Sequence, residues 1–314
     1  MPEDRRASPP RIQFTVEGGD AGATLAALLR RRLPDASWSD VRRFIDTAKV
    51  QVDGEICRDQ AVRPSAGQQV KLEPAAPKPR PTRVGFRLVH EDAHLVVIEK
   101  PEGISSVPFD RKETNTAMDL IREAWRHTGR AATKSPLYVV HRLDKDTSGL
   151  LCFAKTKLGE RGLHTIFKNH LAERLYMAVA HGPVTPRRLA SRLVANRGDG
   201  IRGSTRHADQ GQHAVTHVVK TEPAGPATLC HVRLETGRTH QIRIHLAEAG
   251  HPLVGETVYI RDWRREERPL LPSSRLLLHA ATLGFEHPVT GQPLMFTCDL
   301  PPDFQAALAA LRTS

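Results

Sequence analysis

Residues 138–154 read Tyr138-Val-Val-His141-Arg142-Leu143-Asp144-Lys145-Asp146-Thr147-Ser148-Gly149-Leu-Leu-Cys-Phe-Ala154. An apolar run, Leu137–Val140, leads into a mostly polar turn, and a second apolar run, Leu150–Ala154, leaves it. Short apolar runs bounded by turn residues read as buried strands. Two carboxylates, two cations and two hydroxyls therefore share one loop held at both ends by β-structure. A catalytic carboxylate needs that rigidity of placement. A plain hairpin turn also favours Asp, Ser and Gly for its own backbone, but His-Arg-Leu-Asp ahead of them adds nothing a turn requires.

Two other segments carry candidate chemistry. Leu234-Glu-Thr-Gly-Arg238-Thr239-His240-Gln241-Ile242-Arg243-Ile244-His245-Leu246 runs on to Gly250-His-Pro252. Thr239 is expected to cap a helix that Gly250 and Pro252 stop, with Ile242, Leu246 and Ala249 on its buried stripe. Arg243 in the first turns opposes the helix dipole, which prefers anions there, and so points to service for a partner. Ala172-Glu173-Arg174-Leu175-Tyr176 onward to Gly182 reads as a strand bearing one of only three tyrosines. Taken alone, Tyr176 reads as core filling as readily as chemistry.

Around these segments the 314-residue chain has room for two domains. Residues 74–82, PAAPKPRPT, hold four prolines and no large apolar side chain, so they read as a stiff linker. The expected order is a disordered start at 1–11, a small module at 12–73, the linker, and a large domain at 83–314. In the module, Leu25, Leu28, Leu29 and Leu33 have helical spacing, and Ser39 is expected to cap a second helix carrying Val41, Phe44 and Ile45. Then KVQVDGEIC turns at Asp53–Gly54 as a hairpin, and QQVKL closes the unit. Arg30, Arg31, Arg32, Arg42 and Arg43 fall on or beside the helices as a candidate phosphate-facing patch.

Forty-six Lys+Arg against 35 Asp+Glu give a net charge of +11. That favours a polyanion partner, since neutralising phosphates releases condensed counterions, although a solvated basic surface fits the charge equally. No run of 18 apolar residues suggests a membrane span, and MPEDRRASPPR lacks the apolar stretch of a secretory signal. Four widely spaced cysteines fit a reducing, cytoplasmic setting and neither a disulfide framework nor a cysteine zinc site.

Several motif matches fail on context. His90-Glu91-Asp92-Ala93-His94 spells HExxH, but it sits between two strand-like runs, whereas the zinc chemistry needs a helix. Asp144-x-Asp146-x-Ser148-Gly149 starts like a calcium loop, yet Lys155 stands where the bidentate glutamate belongs. GxSxG, Walker A and GxGxxG are all missing, so no metal and no cofactor is expected.

Four segments in order then carry a resemblance: Ile98-Glu-Lys-Pro-Glu-Gly-Ile, His141-Arg-Leu-Asp-Lys-Asp-Thr-Ser-Gly149, Arg238-Thr-His-Gln-Ile-Arg-Ile-His245, and Leu278-His-Ala280 with Phe285-Glu-His-Pro288. From about Arg83 to Phe304 the chain resembles the RluA-type pseudouridine synthases, in their RluC- and RluD-like branch. Residues 12–72 resemble the S-four-like RNA-binding domain, with Ala23-Thr24-Leu25, Trp38 and Ala48 departing from its usual pattern. The resemblance implies an α+β fold with a central mixed, mostly antiparallel sheet, flanking helices and a cleft containing Asp144. It implies isomerisation of uridine to pseudouridine, with Asp144 attacking C1′ of the ribose or abstracting its C2′ proton. Arg142 would fill the gap left by the flipped uridine. Tyr176 would stack on the uracil and could share in proton removal at C5. Arg243 would pair with Asp144, with Arg238 in reserve. Leu278 would pack beneath the base, and His141 would help bind it. Arg30, Arg31, Arg42 and Arg43 would contact RNA. Gly255-Glu256 stands where the family usually has Gly-Asp.

The substrate expected from this branch is large-subunit ribosomal RNA, and the enzyme a cytoplasmic monomer. Two alternatives stay open: a synthase acting on transfer RNA, and an RNA-binding or ribosome-assembly factor that keeps the fold without chemistry.

Overall fold

The computed structural model describes residues 11–20, 22–47, 49–57, 60, 62–74, 85–108, 113–127, 136–198 and 200–313. Residues 1–10 and most of the proline-rich segment, from residue 75 on, lie outside the described residues. The chain divides into two compact units, Met1–Arg83 and Val84–Ser314.

The smaller unit runs β1 (Ile12–Thr15), α1 (Leu25–Arg32), α2 (Trp38–Asp46), β2 (Val50–Val52), β3 (Glu55–Ile56) and β4 (Gln69–Leu72). Its sheet has the order β1-β4-β2-β3 and is antiparallel throughout. Leu25, Leu28 and Leu29 meet Val41, Phe44 and Ile45 over Val50, Val70 and Leu72 in one apolar core. Asp53 and Gly54 both take positive φ, 51° and 84°, as the two-residue hairpin between β2 and β3 requires. The cap of α2 is Ser37, not Ser39. Ser37 Oγ accepts from the Asp40 backbone N–H at 3.1 Å, and Asp40 Oδ2 accepts from the Ser37 N–H at 3.0 Å. That reciprocal box satisfies two otherwise orphaned groups and fixes the helix start at Trp38.

The arginines of this unit are less free than their sequence suggests. Arg32 pairs with Asp20 at 2.6 Å and lies over the Phe14 ring, while Arg31 reaches Asp20 at 3.7 Å. Arg43 pairs with Asp40 at 2.8 Å. Arg30 folds back onto the carbonyls of Leu33 and Pro34, at 3.2 and 3.3 Å, which satisfies the end of α1. Arg42 faces solvent, and Arg31 and Arg43 also stay exposed despite their pairs.

The larger unit runs β5 (Arg87–Glu91), β6 (Leu95–Lys100), α3 (Ala117–His127), β7 (Tyr138–Val139), β8 (Ser148–Ala154), α4 (Lys157–Lys168), β9 (Glu173–His181), β10 (Arg187–Val194), β11 (Gly203–Thr205), β12 (Gln212–Ala224), β13 (Ala227–Leu234), α5 (Gln241–Glu248), α6 (Arg261–Arg265), β14 (Leu278–Glu286), β15 (Pro293–Thr297) and α7 (Pro302–Arg312). Eleven strands form one sheet in the order β11-β10-β12-β13-β9-β14-β8-β6-β5, with β15 beside β14 and β7 beside β8. Only β8 and β14 pair in parallel. The fold is therefore α+β with a mixed, mostly antiparallel sheet. The HExxH-like pentad is the tip of the β5–β6 hairpin, where Asp92 accepts the backbone N–H groups of His94 and Leu95 at 2.7 and 2.9 Å.

The parallel pair explains the residues after Asp144. β8 is buried along its whole length. Gly149 has φ 114°, and a Cβ there would collide with the Ala280 backbone of β14. Ser148 accepts from Arg275 Nη2 at 2.6 Å and bonds His279 Nδ1 at 2.8 Å. The Ser-Gly dipeptide is thus what lets the loop end enter the middle of the sheet.

Candidate active site

A cleft of about 910 Å³ opens against β7, β9, β13, β14 and the start of α5, with the 141–147 loop as part of its wall. Asp144 is the only carboxylate among the described residues that line it. The charged neighbours in that lining are Arg142, Lys145, Lys168, Arg174, Arg202 and Arg238.

The loop bearing Asp144 is pinned by its backbone. Ser106 Oγ donates to the Leu143 carbonyl at 2.8 Å and accepts from the Leu143 N–H at 3.0 Å. Beneath it lies Lys100, a fully buried lysine, whose Nζ donates to the carbonyls of Pro101, Ile104 and Lys145 at 2.9, 2.8 and 3.1 Å. Burial pulls the Lys100 ammonium down to about 7, with Asp146 and Asp144 opposing that pull. The Gly103 N–H reaches the same Lys145 carbonyl at 3.0 Å. The Lys-Pro-Glu-Gly segment therefore holds the loop from below rather than entering the cleft.

Each expected site residue has a definite place. Arg142 is exposed in the cleft. Tyr176 on β9 and Leu278 on β14 are buried in its floor, 8% and 3% exposed. Burial pushes the Tyr176 hydroxyl above its ordinary value, Arg174 opposes this, and the Asp144 carboxylate adds to it. Tyr176 thus stays protonated near neutrality. His141 also lines the cleft, but its Nε2 accepts from the Cys152 N–H at 3.0 Å and its ring stacks on Phe167 at 4.5 Å. Burial pulls it down to about 3, so it is a neutral brace between the loop and β8. Arg238 is tethered by Nε to the His213 carbonyl at 3.1 Å.

Arg243 departs from the expected arrangement. It makes no ion pair with Asp144 within 4.0 Å. Its Nε and Nη2 form a two-pronged bond to Glu256 at 2.8 and 2.7 Å, and Nη1 stands 4.0 Å from Asp146. Glu256 is itself fully enclosed, and its Oε1 also accepts the N–H groups of Thr257, Val258 and Tyr259. A bidentate fork of this kind fixes a guanidinium better than one exposed aspartate does. Arg243 remains within electrostatic range of Asp144, which, after Glu256, helps hold it protonated.

The start of α5 also differs. His240, not Thr239, is the N-cap, with φ 58° and ψ 20°, and it makes no side-chain cap bond. Left-handed backbone costs a non-glycine residue about 1 kcal/mol. The cause of the shift is Gln241. Its Oε1 accepts from Thr236 Oγ1 at 2.7 Å and the Arg238 N–H at 3.0 Å, and its Nε2 donates to Val215 O and Thr216 Oγ1. Residues Gln241 to Leu246 are buried on every side of the helix, not along a single stripe, because partners on β10 and β12 satisfy Gln241 and His245 while Glu256 satisfies Arg243.

Sequence reading assigned no site role to Lys100, Arg174, Glu256 or Tyr259. Arg174 is 7% exposed, donates to the Glu235 carbonyl at 2.9 Å and lies over Phe167. Its Nε and the Thr147 hydroxyl are buried without a partner among the described residues. No helix of the described residues is long and apolar enough to cross a membrane.

Comparison with known proteins adds independent findings. Residues 94–248 match the family model for RNA pseudouridylate synthase. A ribosomal large subunit pseudouridine synthase D from Zymomonas mobilis is 34% identical, across 97% of this chain and 99% of its own length. Its namesake from Nitrosomonas europaea is 32% identical over 96% and 88%. Among solved structures, human RNA pseudouridylate synthase domain containing 4 has a TM-score of 0.57 at 25% identity, covering 72% of this chain and 92% of its own. With identity of that depth over nearly the full length, the chain belongs to the RNA pseudouridine synthase family and is an RNA pseudouridine synthase.

Proposed function

We propose that this enzyme isomerises uridines of large-subunit ribosomal RNA, with Asp144 as the catalytic carboxylate. The observation that carries the reading is a single carboxylate, on a loop braced by Ser106 and Lys100, in a cleft whose other charged wall groups are cations. RNA supplies the phosphates that such a cleft lacks. A uridine must leave its stack to reach C1′, at a few kcal/mol, and exposed Arg142 is suited to fill the vacancy by stacking and hydrogen bonding. Tyr176 stacks on the uracil and Leu278 supports it from below. Arg243, clamped by Glu256, keeps a fixed positive charge on the Asp144 side of the cleft, suited to orient an attacking carboxylate. Arg238 guides the strand, and His141 shapes the wall. The unpartnered Thr147 hydroxyl and Arg174 Nε suit a site whose polar complement arrives with the substrate.

The ribosomal substrate is supported by relatives named for the large subunit that align with both units of this chain. The smaller unit then acts as an S-four-like RNA-binding module on a monomeric, cytoplasmic enzyme that needs no cofactor. Its contacts narrow to Arg31 and Arg42, since Arg30 folds back onto its own helix end and Arg43 pairs closely with Asp40 at 2.8 Å, whereas Arg31 only reaches Asp20 at 3.7 Å. Reversing both charges should flatten the salt dependence of RNA affinity by about two contacts' worth of slope; an unchanged slope would make the unit a structural cap.

The test of the function is mass-spectrometric pseudouridine mapping of ribosomal and transfer RNA from cells with and without the gene. Loss at defined large-subunit positions is the expected result. Loss confined to transfer RNA would overturn the substrate.

A further inference from the structure

Beside Asp144 in the cleft wall stands His240, held in left-handed backbone. Its Nδ1 bonds the Tyr259 hydroxyl at 2.7 Å, with the two rings edge to face at 77°. Tyr259 is buried behind it, 8% exposed, and is not part of the cleft lining. Nδ1 is therefore committed to the protein, and Nε2 is the ring nitrogen without a protein partner among the described residues.

One tyrosine hydroxyl can donate to Nδ1 or accept from it. In the first case Nε2 carries the proton and is a donor; in the second it is an acceptor. A His–Tyr pair of this kind supplies both roles with no change in net charge. The groups facing the imidazole are Asp144 from the 141–147 loop, Arg243 on its own helix, Glu256 and Tyr259 after that helix, and Arg202 before β11. Burial lowers the imidazole's affinity for a proton, Asp144 opposes this, and Arg243 adds to it, so near neutrality the ring is free to accept one.

The isomerisation ends on a step with this requirement. When C5 has joined C1′, C5 still carries its hydrogen and N1 is doubly bonded to C6. The C5–H bond must break, its electron pair becoming C5=C6, while the C6=N1 pair moves to N1, which takes a proton. No oxidant and no net proton is involved. Tyr176 is a poor base for the task, because burial and Asp144 keep its hydroxyl protonated.

We infer that His240, backed by Tyr259, is the base that removes the C5 proton and returns it to N1 of the same ring. The inference rests on the reading of Asp144 above, which makes this cleft the site of the isomerisation. It also gives the left-handed backbone at His240 a purpose, since that conformation aims the ring.

His240→Asn tests it in the full-length enzyme on transcribed ribosomal RNA. Asparagine tolerates left-handed backbone and places an amide near the Nδ1 position, but it has nothing at Nε2. The expected result is unchanged melting temperature and RNA affinity within twofold. Single-turnover product formation should fall about 100-fold. With RNA deuterated at uridine C5, the variant should show an isotope effect larger than that of wild type. The acid limb of the wild-type pH–rate profile should disappear. Tyr259→Phe is the second variant and should lose about tenfold with a raised isotope effect. A wild-type rate in either soluble variant would overturn the inference, as would a slower rate with no added isotope effect. Asp144→Asn, measured alongside, separates the two readings. Turnover by that variant would overturn the site itself, whereas an inactive Asp144→Asn beside a fully active His240→Asn would overturn only the role of His240.

Discussion

Glu256→Ala removes the group that holds Arg243, and its cost follows from the contacts. The carboxylate takes two bonds from the guanidinium, at 2.8 and 2.7 Å, and three backbone N–H groups at 2.8 to 3.3 Å. Arg243 is 3% exposed, so the alanine variant leaves a buried cation without its counter-ion. Breaking a buried pair from one side costs about 3–5 kcal/mol, and the stranded N–H groups place this case near the upper end. For a unit of this size that is a fall of roughly 10–20 °C in melting temperature. The folded pKa of Glu256 is depressed: burial raises it, but Arg243 and the Val258 and Tyr259 N–H groups outweigh burial. Its stabilisation is thus complete above the ordinary glutamate value of 4.5 and is lost as pH falls through the lower folded value. Urea unfolding of wild type and variant should therefore give a constant gap from pH 5 to 8 that closes in stronger acid. In a cycle with Arg243→Met, the double variant should be less damaged than the sum of the singles, because no lone charge remains. A single-variant loss below about 1 kcal/mol, with normal turnover, would show that Arg243 does not depend on this clamp.

Two further outcomes follow from the loop supports. Lys100→Met should cost about 3 kcal/mol by stranding three carbonyls, and should slow turnover by loosening the backbone at Lys145. Because burial depresses Lys100 to about 7, wild type should gain stability as pH rises from there toward 10.5, whereas the variant should lack that rise in urea titrations. Gly149→Ala should cost more than 3 kcal/mol, since its Cβ meets the Ala280 backbone at positive φ; soluble, normally stable protein would refute the tight parallel contact.

What was legible in the sequence was local. The Asp53–Gly54 hairpin, the leucine spacing of α1 and the strand–loop–strand frame around Asp144 depend on neighbours a few residues apart. The placement of Asp144 in a cleft came with the motif's resemblance. What escaped was set by partners distant in sequence. Arg243 finds Glu256 thirteen residues on, and Ser148 finds Arg275 only because β8 and β14 pair in parallel. Propensity favoured Thr239 as a cap, but Gln241, anchored to Thr236 and Val215, moves the helix start by one residue. Ser37 displaced Ser39 for a simpler reason: Asp40 lies three residues after Ser37, the spacing that a capping box needs. A run of arginines likewise reads as free charge until Asp20 and Asp40 are placed beside it.

The most direct measurement is single-turnover pseudouridine formation by Asp144→Asn on transcribed large-subunit ribosomal RNA, with binding measured on the same preparation. The variant keeps side-chain shape, and Ser106 and Lys100 still brace the loop. RNA affinity should stay within a few-fold of wild type while product falls below detection. Product formed at a rate near wild type would contradict the assignment of Asp144 and with it the account of the cleft.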